Sequence, residues 1–200
     1  MALFEVAKTT DIPVGEARRF VVDRIEIAIA NLGDGKFEEL IDEAGPGVAA
    51  AHTSRGCAFG DFDNDGDVDI LVMNMNEPPS LLRNDVSGNG HWLKVLLVGV
   101  TSNRSAIGAR VLARYGNRTQ AQEVTAQSSF YSANDRRLHF GLGTATSADL
   151  TIRWPNGAEE KVAGIEADQL VVIREGAGIL RKQKFGVQPV APVRPRGGVE

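Results

Sequence analysis

Apolar residues along this chain recur mostly with a period of two, the spacing of a half-buried β-strand rather than of a helix. Residues 16–30 break into two short runs with Asp23-Arg24 as the expected hairpin tip. In the second run Ile25, Ile27 and Ile29 alternate with Arg24, Glu26 and Ala28. Strand-like segments follow at 57–62, 69–75, 91–100, 109–115, 119–127, 137–143, 148–154 and 169–175. The intervals carry turn chemistry, including Gly33-Asp34-Gly35, Asn64-Asp65-Gly66, Gly116-Asn117 and Pro155-Asn156-Gly157. The best helix candidate, residues 38–51, is interrupted by Gly45-Pro46-Gly47. The pattern predicts an all-β chain built as a sandwich, a barrel or a piece of a propeller.

Composition narrows the class. The chain has 200 residues, 42% of them hydrophobic and 24% charged, with a formal net charge of −4, which suits a globular protein with a real core and excludes a mainly disordered one. The arginines are scattered and no basic stripe is interleaved with aromatics, so nucleic acid is not an expected partner. The single cysteine, Cys57, excludes an internal disulfide and any Cys-rich zinc or iron–sulfur site. No segment approaches the ~20 apolar residues of a membrane helix. Glu5, Lys8 and Asp11 break the N-terminal stretch where a signal peptide needs an apolar core, so no export signal is legible there. Residues 181–200 carry Arg181, Lys182, Lys184, Arg194 and Arg196 against Glu200 alone, the composition of a solvated tail.

One segment carries strong chemistry. Residues 61–69 read Asp-Phe-Asp-Asn-Asp-Gly-Asp-Val-Asp, five carboxylates that repel one another unless a cation sits among them. Asp61, Asp63 and Asp65 alternate onto one side of a tight loop. Gly66 permits the reversal, Asp67 can offer its backbone carbonyl, and Asp69 returns a further carboxylate. An oxygen-only set suits Ca²⁺, which takes 6–8 such ligands at ~2.3–2.6 Å, better than Mg²⁺. An EF-hand does not fit, because its twelfth position needs a bidentate Glu and here is Val72, and because the flanks read as strands. The competing interpretation is an acidic surface turn of solvated aspartates.

Residues 54–84 resemble an FG-GAP-type β-propeller blade, in which the stretch AFGDFDNDGDVDILV is the calcium loop with its flanking strands. The resemblance implies Ca²⁺ ligation by Asp61, Asp63, Asp65 and Asp69, and by Asp67 through its main-chain oxygen. Residues 31–45, NLGDGKFEELIDEAG, are similar to the end of a preceding blade. Further on, GHWLKV at 90–95, SNRSAIGARV at 102–111, QSSFYSANDRRLHFGLG at 127–143 and LTIRWPNG at 150–157 resemble an ASPIC/UnbV domain of the cartilage acidic protein type. Residues 3–30 look like the opening strands of a Rieske-type ferredoxin, yet one cysteine and three histidines cannot supply its two-Cys, two-His ligand set.

These resemblances divide the chain into a β-hairpin segment at 1–38, a calcium-binding blade at 39–86, an ASPIC/UnbV-like β domain at 87–176 and a basic, Pro-rich, disordered tail at 177–200. The expected fold is all-β: one propeller-type blade with a calcium loop plus a small antiparallel β-sandwich or barrel-like domain. The expected function is that of a non-enzymatic, calcium-stabilised module for binding, adhesion or surface assembly. The alternatives are a degenerate Rieske-like electron-transfer or oxygenase-associated component and a metal-assisted hydrolase using the Asp cluster. The family implies an extracellular or cell-envelope setting. Partners would be protein or carbohydrate, with homo-oligomers through an exposed blade edge. Trp92, Tyr131 and Trp154 are the aromatic residues that could form a ligand platform.

Overall fold

The computed structural model describes residues 17–22, 25–30, 46–85 and 90–185, and the chain divides into two compact units, Met1–Ala50 and Ala51–Glu200. In the first unit β1 (Ala17–Val22) pairs antiparallel with β2 (Ile25–Ala30), Phe20 opposite Ile27 and Val22 opposite Ile25. The predicted hairpin tip, Asp23-Arg24, lies outside the described residues. Of the helix candidate over 38–51, the described residues hold only the four-residue α1 (Pro46–Ala49). Pro46 opens it, where a fixed φ and a missing N–H cost nothing.

The second unit begins with a three-stranded antiparallel sheet, β3 (Ser54–Gly60), β4 (Asp69–Asn74) and β5 (Ser80–Leu82), in the order β3-β4-β5. Eight further strands follow: β6 (His91–Val98), β7 (Arg110–Tyr115), β8 (Arg118–Glu123), β9 (Leu138–Gly143), β10 (Ser147–Arg153), β11 (Glu159–Glu166), β12 (Gln169–Arg174) and β13 (Gly178–Gln183). They form two four-stranded sheets, ordered β11-β10-β7-β8 and β13-β12-β6-β9. Inward-facing residues of both sheets share one core: Leu93, Val95, Phe140, Leu142, Val171 and Ile173 from one, and Val111, Ala113, Leu150, Ile152 and Ile165 from the other. This is a sandwich, produced by the same alternation that the sequence displays. One pair departs from the antiparallel expectation, since β6 runs parallel to β12 with Leu93 opposite Gln169.

The boundary of the tail needs correction. Residues 178–183, which composition assigned to the tail, form β13 at the edge of a sheet. Gly176 and Gly178, at φ +72 and +70, turn the chain, and Ile179 then packs against the core. Arg181 and Lys182 are exposed on this outer strand, where charge protects an edge against further pairing. A charged edge strand and a solvated tail have the same composition, and only pairing tells them apart. Residues 186–200 lie outside the described residues.

A buried carboxylate ties the far end of the sandwich. Glu175, only 8% exposed, accepts hydrogen bonds from the backbone N–H groups of Val100, Thr101 and Ser102, from the Thr101 and Ser102 hydroxyls, and from the Asn156 amide. Burial pushes its carboxyl up, but the donors from Thr101, Ser102 and Val100 outweigh this and hold it at about 2, below the ordinary 4.5. Among the described residues no helix is long and apolar enough to cross a membrane.

Candidate metal centre

The acidic loop links the end of β3 to the start of β4. Asp61 and Asp69, at its two ends, are each 2% exposed. Asp69 spends its carboxylate on the chain itself, Oδ2 accepting from Phe62 N at 3.0 Å and Oδ1 from Asn84 N at 2.9 Å. Asp61 Oδ2 accepts from Gly66 N at 2.9 Å, and Asp65 Oδ1 from Asp67 N at 2.9 Å. Two left-handed residues bend the loop, Asn64 at φ 63 and Gly66 at φ 107. Gly66 lies against the indole of Trp92, close enough that a β-carbon there would meet Nε1 at 2.1 Å.

Three carboxylates converge. Asp61, Asp63 and Asp65 each present an oxygen, all within 4.8 Å of one another. Asp61 Oδ1 and both Asp63 oxygens are buried with no hydrogen-bond partner. A buried carboxylate oxygen without a donor is costly, and three in one loop is the donor set of a hard divalent cation. The field is correspondingly strained. Burial, and then repulsion from Asp65 and Asp69, pushes the Asp63 carboxyl above its ordinary value, and burial followed by Asp65 does the same to Asp67. The loop's own unpaired oxygens therefore fit a hard divalent cation. Of the five aspartates singled out from the sequence, the structure gathers Asp61, Asp63 and Asp65. The Asp67 and Asp69 side chains are not part of that group.

The opposite side of the loop is held by cations that the motif does not contain. Lys94, on β6 and 1% exposed, places Nζ 2.5 Å from Asp61 Oδ2 and 3.2 Å from Asn64 Oδ1. Its ammonium lies 5.4 Å from the ring centre of Trp92 and 5.5 Å from that of Phe185. Burial lowers the Lys94 pKa from its ordinary value, and the Asp61 carboxylate opposes this. Arg137, just before β9, donates to Asn64 Oδ1 at 2.6 Å and to the Asp61 carbonyl at 3.0 Å while pairing with Asp135. Beside Lys94 in register is His139, whose pKa is lowered by burial and then by the Lys94 charge. The sequence carried one signal for Lys94: it interrupts the apolar run of β6 between Leu93 and Val95, where a cation must find an acid.

The aromatic platform does not assemble. Trp154 is 1% exposed and sits in the core, so it cannot stack on a ligand. Its place after the alternating strand β10 puts it on the inward face. Trp92 covers Gly66 and stacks on His139 and Phe185 at 6.0 and 6.4 Å. Only Tyr131 is open, 88% exposed at φ 50, with Phe130 edge-on at 4.6 Å.

Residues 22–72 match the FG-GAP-like repeat family, and residues 99–180 match the ASPIC and UnbV family. Cartilage acidic protein 1 of Homo sapiens is 29% identical over 127 residues, which cover 60% of this chain and 19% of the relative. The Mus musculus protein of the same name is 28% identical over 145 residues, 68% of this chain and 22% of the relative. The chain thus spans about a fifth of the length of the curated relatives it matches. With the acidic loop, the sandwich and both family matches in the same order along the sequence, the chain is similar to an FG-GAP-like repeat followed by an ASPIC/UnbV domain, and to part of cartilage acidic protein 1.

Proposed function

We propose that this chain is a non-enzymatic β module, stabilised by calcium at the 61–69 loop, that serves binding or surface assembly outside the cell. The observation that carries the proposal is the set of buried, unpartnered oxygens on Asp61 and Asp63, converging with Asp65. Asp61 Oδ1, Asp63 and Asp65 would hold the ion, and the Asp67 carbonyl is the expected further donor. The ion would supply charge neutralisation and a rigid tie between β3 and β4. The family matches and a relative named for cartilage favour an extracellular setting, where calcium is plentiful. The Phe130–Tyr131 tip is an exposed aromatic surface offered to a protein or carbohydrate partner.

Thermal unfolding in EDTA, CaCl₂ and MgCl₂ tests the calcium site. For a Kd near 10⁻⁴–10⁻³ M, typical of extracellular modules, about 10 mM calcium adds roughly 1.4–2.7 kcal/mol, a rise of roughly 3–10 °C. Asp63→Ala removes two of the three unpartnered oxygens, so it abolishes that rise without lowering the melting temperature in EDTA. An identical response to both salts, or a calcium response that survives Asp63→Ala, would remove the loop from the explanation.

A further inference from the structure

The acidic loop already contains a cation before any metal arrives. Lys94 Nζ occupies one side of Asp61, taking Oδ2 and leaving Oδ1 buried without a partner beside the Asp63 and Asp65 carboxylates that gather with Asp61. The ammonium is closed off from solvent, with the Trp92 and Phe185 rings beside it and Asn64 Oδ1 as its second acceptor. Arg137 adds a second positive group on the same side, through Asn64 Oδ1 and the Asp61 carbonyl. Both cations and both rings come from the sandwich or its flanks, not from the blade strands. A cation one carboxylate away from a metal site has two opposed effects. It neutralises and orients the empty loop, and it repels the incoming ion.

We infer that Lys94, assisted by Arg137, is a positioning residue that holds the 61–69 loop in its ligand geometry when empty and sets its affinity for divalent cations to a weak value. This rests on the calcium reading above and goes beyond it, because it makes the affinity of the blade loop a property of the sandwich. The two roles have opposite signs, which separates them from ordinary structural support. A lysine that merely held the fold together would weaken metal binding when removed. Here its removal tightens binding while destabilising the empty protein.

The test uses the full chain, titrated calorimetrically with CaCl₂ at low ionic strength and melted in EDTA, as wild type, Lys94→Met and Arg137→Gln. Close charge pairs are commonly coupled by enough to shift an equilibrium about tenfold or more, so Lys94→Met should bind calcium at least about tenfold more tightly than wild type. It should also melt at a lower temperature in EDTA. Arg137→Gln, whose guanidinium is partly exposed and shared with Asp135, should shift both readouts in the same directions by less. If Lys94→Met fails to fold, Arg137→Gln alone carries the comparison. Unchanged or weaker binding in both variants, with wild type still binding, overturns the inference and leaves the calcium site standing. No binding in any of the three overturns both.

Discussion

Gly66→Ala probes how the loop is seated against the sandwich. The residue lies at φ 107, and an added β-carbon would meet Trp92 at 2.1 Å from Nε1, 2.4 Å from Cδ1 and 2.8 Å from Cε2. The indole has little room to move, since it stacks on His139 and Phe185 and lies beside the Lys94 ammonium. A strained φ costs about 1–3 kcal/mol. Overpacking a filled site costs about 1–3 kcal/mol more. The combined loss of about 4 kcal/mol is a large share of the total stability of a domain, commonly about 5–15 kcal/mol. It corresponds to a fall in melting temperature on the order of 10 °C. Two controls separate the contributions. Gly164 sits at φ 64 with open space where a β-carbon would go, so Gly164→Ala pays for backbone strain alone, about 1 kcal/mol. Gly90 is open with no left-handed φ, so Gly90→Ala should change nothing measurable. Urea unfolding followed by tryptophan fluorescence gives all three values. Equal losses at Gly66 and Gly164 would refute the claim that Trp92 clamps the loop.

Two further predictions concern the sandwich itself. The Glu175 carboxyl is held at about 2 in the folded state against an ordinary 4.5, so its contribution to stability is complete above pH 4.5 and is lost as pH falls toward 2. Melting curves over that window should show Glu175→Gln losing less stability than wild type between those limits, and a parallel decline in both would contradict the assignment. Trp154, 1% exposed in the shared core, should cost about 3–5 kcal/mol when replaced by alanine, read from denaturant midpoints, and a loss under about 1 kcal/mol would mean the core closes differently.

Much of this was legible in the residues, because period-two alternation survives in strands that bury one face. The runs around Ile152 and Phe140 were read as strands, and both lie on inward faces. The spacing of Asp61, Asp63 and Asp65 gave the acidic cluster directly, since alternation around a tight turn leaves little choice of side. Three strands escaped. β5 is only three residues long, β11 is largely exposed, and β13 carries the charge of an edge. Trp154 ends an alternating strand, and that pattern puts it in the core, although an aromatic beside polar turn residues also has the composition of a ligand platform. Lys94 and Arg137 were missed for a different reason. Their partners are 33 and 76 positions away in sequence, beyond any local pattern.

The parallel pairing of β6 with β12 has a consequence for the order of assembly. β6 lies between β9 and β12, so it is bound on both sides only after the chain has closed the long connection from Leu93 to Gln169. Closing such a span costs chain entropy before its contacts repay it, and topologies of this kind fold slowly. During synthesis the 61–69 loop emerges well before the strand that flanks its lysine on the far side. For that interval its carboxylates lack their clasp, and the loop is a nascent, highly charged segment. The acidic loop is therefore clasped late, and a defect in β12, which pairs with the strand carrying Lys94, reaches a loop about a hundred residues earlier in the chain.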